Sequence, residues 1–484
     1  MGRLVIVSNR VVDPRQSAAG GLAVALGQAL EATGGLWLGW SGKVAEGSAG
    51  GAGKGPQADA PLQMQRSGKV QLATFDLSAS QHDRYYLGYS NGVLWPVCHY
   101  RLDLADFDAG YFDGYGEVNK LFARQLLPLL KTDDLVWVHD YHLIPLAAEL
   151  RALGCQQRMG FFLHIPLPPP PLLAAIPQHT WLMERMFGYD VVGFQSQQDV
   201  GHFTAYVQHE LGAQEVASKE ANTPAPNGQH CPAQELGAQH FSAFGRKVQV
   251  QAFPIGIDVA EFAQLGRGKD ARDTYTTTRE QYASRRLLIG IDRLDYSKGI
   301  PHRIRAFRAL LNQFPENRDS ATLIQIASPS RETVHAYTDI LHELEGLCGA
   351  INGDFGNLGW MPVRYIHRTV ARKRLPGLYR AARVGWVTPL RDGMNLVAKE
   401  FIAAQDSQDP GVLVLSRFAG AAEQLKEALL VNPYDTHGTA HAIQRALHMP
   451  LAERQERHSR LLARITEHDV HWWSKTFLQA LAQA

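Results

Sequence analysis

The sequence predicts an α/β protein built as two Rossmann-like domains, each around a parallel sheet. Three observations predict it. Apolar runs of strand length alternate with helical patterns along most of the 484 residues, the signature of βαβ units. Ten such runs exceed one typical sheet, so they divide into two. Finally, two segments that leave an apolar run and open a helical pattern carry groups suited to phosphate, and ligands of α/β sheets bind where strands end and helices begin.

The runs are Leu4 to Val7, Leu135 to Val138, Gly160 to Leu163, Val191 to Phe194, Val248 to Phe253, Leu287 to Ile291, Thr322 to Ile326, Val384 to Thr388, Val412 to Leu415 and Leu429 to Val431. Pro254 and Gly256 interrupt the alternation after a strand, as a domain crossover would. The expected domains are therefore 1–256 and 257–466, followed by a terminal helix over 467–484. The segment His468 to Ala484 has helical spacing at Trp472, Phe477, Leu478 and Leu481. Lys43 to Pro61, rich in Gly and Ala, reads as a mobile surface loop. Ser218 to Phe241 shows no clear periodicity and reads as lying outside the core. The proline-rich run Pro166 to Pro171 reads as extended or turned rather than helical.

Bulk composition narrows the function. Lys plus Arg total 48 against 47 acidic residues, a net charge of +1. That balance argues against a nucleic-acid binder or a membrane-surface protein, so any anion site must be local. No run approaches membrane-spanning length. The N-terminal apolar stretch is too short for a signal peptide. Cys98, Cys155, Cys231 and Cys348 are scattered without metal-ligand spacing, which suits free thiols in a reducing, cytoplasmic setting.

Arg293 and Lys298 precede Gly299 and a new helical pattern. A lone cation on a loop is usually solvated. Two of them at a strand-to-helix mouth suit a diphosphate, because Arg forks onto two oxygens and Lys adds a point charge. The segment Asp392 to Glu400 leaves another strand and opens a helix. Free amides at Leu396 and Val397 would favour an anion, and Glu400, one turn on, would accept hydrogen bonds from ribose hydroxyls. Together these suggest a nucleotide-sugar site. Gly20 and Gly21 precede a helical pattern and would bring backbone amides close to a phosphate or sugar, but lack the third glycine of a dinucleotide fingerprint. Arg10, Tyr86, Trp95 and Arg331 are each more often structural; together they would suit a phosphorylated sugar. Asp140 and His164 follow the ends of strands. His139 to His142 looks like a metal cluster but lacks a third nearby ligand, so no metal is expected.

These residues carry a resemblance. The chain resembles the trehalose-6-phosphate synthase family of retaining GT-B glycosyltransferases. The matching motifs run in order from Leu4 to Arg10 through Gly20 to Leu22, Val93 to Pro96, Trp137 to His142, Phe161 to Pro166, Phe253 to Ile257, Arg293 to Gly299, Asp392 to Glu400 and Val431 to Tyr434. The sequence departs from the family at Pro169 to Pro171, where the family often has Thr-Pro-Glu.

The resemblance implies a GT-B fold, two domains facing a central cleft, with the terminal helix returning to the first. It implies transfer of glucose from a nucleotide donor, usually UDP-glucose and otherwise ADP- or GDP-glucose, to glucose-6-phosphate, without metal or other cofactor. By position, Arg293 and Lys298 would hold the diphosphate. Leu396, Val397, Ala398, Lys399 and Glu400 would hold phosphate and nucleoside, with Val370 near the base and Gly20 and Gly21 over the donor. His164 and Asp392 would contact the transferred glucose. Arg10, Tyr86, Trp95, Asp140 and Arg331 would form the acceptor side. Arg293, Lys298, His164 and Asp140 are the expected catalytic set. A homo-oligomer is compatible with the family, although the sequence carries no interface signature. Other readings are a sister synthase using glycerol-3-phosphate, a non-catalytic sugar-phosphate sensor and a nicotinamide-dependent dehydrogenase; the missing glycine fingerprint weighs against the last.

Overall fold

The computed structural model describes residues 2–11, 25–27, 29–30, 33–45, 61–216, 237–330 and 335–484. The chain forms two compact units, Met1–Pro254 together with Trp473–Ala484, and Ile255–Trp472. Gly20, Gly21, Arg331 and Cys231 lie outside the described residues, as do 46–60 and 217–236.

The first unit holds strands β1 (Leu4–Arg10), β2 (Gly35–Val44), β3 (Gln63–Ser67), β4 (Val70–Leu77), β5 (Leu135–His139), β6 (Arg158–Phe162), β7 (Val191–Phe194), β8 (Gln214–Glu215), β9 (Gln239–Ala243) and β10 (Arg246–Ala252). Their order is β3-β4-β2-β1-β5-β6-β7-β10-β9-β8. From β4 to β10 every pairing is parallel; β3, β9 and β8 add antiparallel edges. All five residues of β5 are buried, as expected of a parallel strand covered on both faces. The chain runs outward from β1 through β2 to β4, then returns to lay β5 on the other side of β1.

The second unit holds β11 (Arg286–Arg293), β12 (Ala321–Ser328), β13 (Val363–Ile366), β14 (Val384–Val387), β15 (Val412–Ser416) and β16 (Leu429–Val431). They pair in parallel in the order β13-β12-β11-β14-β15-β16, a doubly wound sheet whose direction of winding reverses between β11 and β14. The helix Ile300–Gln313 buries Ile300, Ile304, Phe307, Leu310 and Leu311 against a core that includes Leu288, Leu323, Trp386 and Val414.

All ten apolar runs fall on strands. The run scan missed β2, β3, β4, β8, β9 and β13. Lys43 and Val44, expected in a mobile loop, end β2. Gln239 to Phe241, expected outside the core, belong to β9 and pair with β10. A third correction concerns the proline run. Pro170 and Pro171 open a short helix, Pro170–Leu173, with Pro169 extended before it. First-turn positions have no intrahelical use for an N–H, so proline is tolerated there.

The last helix, Val470–Gln483, places Trp473, Thr476, Phe477, Ala480 and Leu481 inward, while Trp472 and Leu478 are half-buried. The buried face is therefore centred on Trp473 and Phe477 rather than on Trp472 and Leu478. Phe477 stacks on Trp137 at 4.6 Å and meets Phe253 edge-on at 5.0 Å. Gly160 on β6 and Gly193 on β7 make this approach possible, because a Cβ at either would stand 2.7 or 2.8 Å from the ring. Replacing Phe477 by Ala should cost about 3–5 kcal/mol, read as a lower urea midpoint at unchanged slope; a midpoint within error of wild type would contradict this packing.

Candidate active site

In the second unit the candidate residues collect at the carboxyl ends of β11, β13 and β14. Arg293 is the exposed last residue of β11. Asp295 then caps a single 3₁₀ turn, Tyr296–Lys298, by accepting from the Ser297 N–H at 2.9 Å. Gly299 has φ 63°, and a Cβ there would meet the Thr388 carbonyl oxygen at 2.5 Å. Only glycine accommodates both constraints. The turn delivers Lys298 Nζ to Asp392 Oδ2 at 2.5 Å. Asp392 also accepts from Asn395 Nδ2 at 3.0 Å. The pair thus links the loops after β11 and β14, across the point where the winding reverses. That crevice is where doubly wound sheets bind ligands.

Asn395 (φ 75°) precedes the helix Leu396–Ala404, whose first amides have no intrahelical acceptor and suit an anion. Glu400 is reached by the Tyr379 hydroxyl at 3.2 Å. Burial pushes its carboxyl up to about 7, with Arg372 and Tyr379 pulling the other way. Val370 is half-buried in the segment after β13. Lys399 turns its side chain inward. Its side chain is fully buried, its ammonium donates to the Ile255 carbonyl and Gln424 Oε1, both at 2.7 Å, and burial lowers it to about 7. The ammonium is engaged inside the protein, so only the backbone of Lys399 remains for a phosphate.

Sequence reasoning missed the support beneath these loops. Arg303 is fully buried and donates to Asp292 at 2.5 Å, Gln325 at 2.9 Å and Thr388 at 3.2 Å. Asp295, also fully buried, accepts from the Tyr337 hydroxyl at 2.8 Å. A helical Arg reads as solvated in sequence; nothing in its spacing signals burial.

In the first unit the candidates collect at the ends of β1, β5 and β6, again beside the reversal of winding. Arg10 ends β1, exposed, with its guanidinium against Gly42. Asp140 follows β5 with φ 77° and ψ 164°, a region that side chains other than glycine adopt only at a cost. Its N–H donates to the Phe162 carbonyl at 2.8 Å, and its Oδ1 accepts from the His164 N–H at 3.3 Å. His164 is half-buried, and its Nε2 lies 3.1 Å from Nδ1 of buried His139. Burial lowers His164 to about 3, so its imidazole is neutral at physiological pH.

Tyr86 sits in a 13-residue π-helix, His82–Leu94, whose register continues into the Trp95 N–H donating to Ser90 O. This register matters. At about 100° per residue an α-helix would put residues nine apart on opposite faces; a π-helix, at roughly 4.4 residues per turn, brings them back after two turns. Tyr86 accordingly stacks on His142 at 5.9 Å, and Trp95 packs on Tyr141 at 5.8 Å. Both converge on the pair that follows Asp140. Periodicity analysis has no template for this.

Among the described residues no group of three or more His, Cys, Asp or Glu is placed to hold a metal ion. No helix among them is long and apolar enough to cross a membrane.

Comparison with known proteins decides the family. The model of glycosyltransferase family 20 matches residues 7–483. The chain belongs to glycosyltransferase family 20. A trehalose-6-phosphate synthase of Sinorhizobium fredii is 47% identical, covering 99% of this chain and 98% of the relative. Among solved structures, an α,α-trehalose-phosphate synthase (UDP-forming) from Burkholderia xenovorans in complex with glucose-6-phosphate aligns with TM-score 0.90 at 45% identity, over 99% of this chain and 100% of the other. An E. coli structure bound with UDP-2-fluoro glucose aligns with TM-score 0.89 at 42% identity, over 100% and 99%. As a member of family 20 with this likeness, the chain has the GT-B fold, with two parallel-sheet α/β domains.

Backbone strain at Asp140 is directly testable. Asp140→Gly and Asp140→Ala both lose the carboxylate, but only Gly relieves the positive φ. The Gly variant should be the more stable of the two by about 1–3 kcal/mol. Equal urea midpoints for the two variants would show that the backbone stores no strain there.

Proposed function

We propose that this family 20 glycosyltransferase transfers glucose from UDP-glucose to glucose-6-phosphate with retention, releasing UDP and trehalose-6-phosphate. The observation that carries this reading is the Lys298–Asp392 pair, at 2.5 Å across the β11/β14 reversal, in a chain 45% identical over nearly its whole length to a UDP-forming synthase crystallised with glucose-6-phosphate.

On this reading the second unit binds the donor and the first binds the acceptor. Arg293 and Lys298 hold the diphosphate. The amides of Leu396, Val397, Ala398 and Lys399 meet a phosphate, Glu400 takes the ribose hydroxyls and Val370 borders the base. Asp392, which orients Lys298, also meets the transferred glucose. Arg10, Tyr86, Trp95 and Asp140 form the acceptor side; Arg331, Gly20 and Gly21 join the proposal on sequence alone.

Cleaving the sugar–phosphate bond builds positive charge on the sugar and negative charge on the leaving diphosphate. Cations held at the diphosphate stabilise that transition state more than the ground state. The acceptor hydroxyl attacks from the face the diphosphate leaves, and a leaving phosphate oxygen takes its proton. His164, neutral because it is buried, hydrogen-bonds the sugar without repelling its developing positive charge. On this reading neither step calls on a metal or other cofactor, and hexose-phosphate and nucleotide-sugar substrates suit a cytoplasmic enzyme.

The deciding assay offers glucose-6-phosphate with UDP-, ADP- or GDP-glucose and measures disaccharide phosphate and released nucleotide together. UDP-glucose should give both in equal amounts; transfer only to glycerol-3-phosphate, or no transfer, would refute the reading. Lys298→Ala should lower turnover by on the order of 10²–10³, and wild-type turnover in that variant would remove Lys298 from the chemistry. Glu400 gives a pH signature. With its carboxyl raised to about 7, the carboxylate that accepts ribose hydroxyls is depleted as pH falls through 7. Donor KM should therefore rise from pH 8 to pH 6 in wild type and stay flat in Glu400→Gln; parallel profiles would contradict the assignment.

A further inference from the structure

Behind His164 stands a second histidine to which the reaction assigns no part. His139 ends β5, is fully buried and packs against Trp137 at 4.5 Å and Trp473 at 6.2 Å. Its Nδ1 lies 3.1 Å from His164 Nε2. Its Nε2 is buried with no hydrogen-bond partner among the described residues. Two neutral imidazoles in contact share one proton along the bond, so one ring donates and the other accepts.

The orphaned Nε2 decides which. If His164 donated from Nε2, His139 would accept at Nδ1 and bury its own Nε2–H without an acceptor. If His139 donates from Nδ1, only a bare ring nitrogen is left among the aromatic rings. Orphaned buried donors are rarer in folded proteins than under-satisfied acceptors. The second arrangement is the favourable one, and it leaves the single proton of His164 on Nδ1. That atom faces Gln195, whose side-chain amide nitrogen is placed 3.5 Å away; two donors make no bond, so this tautomer requires the Gln195 amide to turn its oxygen toward Nδ1 or leaves the Nδ1–H for another acceptor.

The geometry points to His139 as a positioning residue: it fixes the tautomer and ring plane of His164, so that His164 presents an Nδ1–H donor to an oxygen of the transferred sugar. This rests on the reading of His164 given under the proposed function. The Asp140–His164 hydrogen bond sets the backbone of His164, and His139 sets its ring. Burial holds both rings below their ordinary protonation range, and at His139 repulsion from His164 adds to it, so the arrangement persists across physiological pH.

The test is ¹⁵N NMR of histidine-labelled, full-length protein, with the His164 and His139 signals assigned from His164→Asn and His139→Phe. Wild type should show His164 as the Nδ1–H tautomer; an Nε2–H tautomer would overturn the proposal without any activity measurement. Kinetics supply the second arm. His139→Phe keeps the aromatic volume but removes the donor, and should lower kcat roughly tenfold to a hundredfold while acceptor KM holds. His139→Asn places an amide N–H near the Nδ1 position and should recover most of that loss. Unchanged kcat in a folded Phe variant, or equal loss in the Asn and Phe variants, would overturn the positioning role. Should His164→Asn itself leave turnover intact while the Nδ1–H tautomer is seen, the proposed contact of His164 with the sugar fails and the tautomer assignment stands.

Discussion

One buried guanidinium organises the second unit of this protein. Arg303 leaves the helix that follows Gly299 and reaches Asp292 on β11, Gln325 on β12 and Thr388 beyond β14. A charge with no solvent exposure is tolerated only when paired and hydrogen-bonded. The three segments must therefore meet in one arrangement for Nε and Nη1 of Arg303 to be satisfied. Removing one partner of such a pair typically costs about 3–5 kcal/mol. The loops above inherit this rigidity. The Asp295-capped turn and Gly299 fix where Lys298 emerges, and Asp392 receives it.

Both units use the same solution to build a site. Each sheet reverses its winding beside its central strand, between β1 and β5 in one and between β11 and β14 in the other, and the loops diverging there leave a crevice. Each also carries one non-glycine residue at positive φ beside that crevice, Asp140 at 77° and Asn395 at 75°. Such residues persist where the surroundings over-determine them. At Asp140 the surroundings are hydrogen bonds from both backbone and side chain to the end of β6. Local stability is traded for the direction of a carboxylate and, through His164, of an imidazole.

The parallel framework was legible in the sequence because its strands are buried on both faces and read as continuous apolar runs. The strands that escaped are of other kinds. β3 is polar but for Met64 and lies exposed at the edge, β8 has two residues, and β2 is broken by glycines at 35, 39 and 42. Lys298 and Asp392 stood out as candidates because they sit on strand-to-helix connections, and Glu400 because it lies one turn into the helix that follows. The burial of the Lys399 side chain was not legible, because its immediate neighbours in sequence do not reveal that the helix turns it inward. Trp95 and Tyr86 were legible as candidates, but their convergence depends on a helix type that periodicity does not encode.

By itself the sequence determined the class, the two sheets, the family and the loops that carry the candidate cations, since these follow from local hydrophobic pattern and from motifs contiguous along the chain. Tertiary structure alone decided that Arg303 is buried, that His139 abuts His164 and that Tyr86 and Trp95 share a face. Each of those facts depends on which residues, distant in sequence, occupy the same few ångströms; burial and hydrogen-bond partnership are properties of that meeting rather than of either residue.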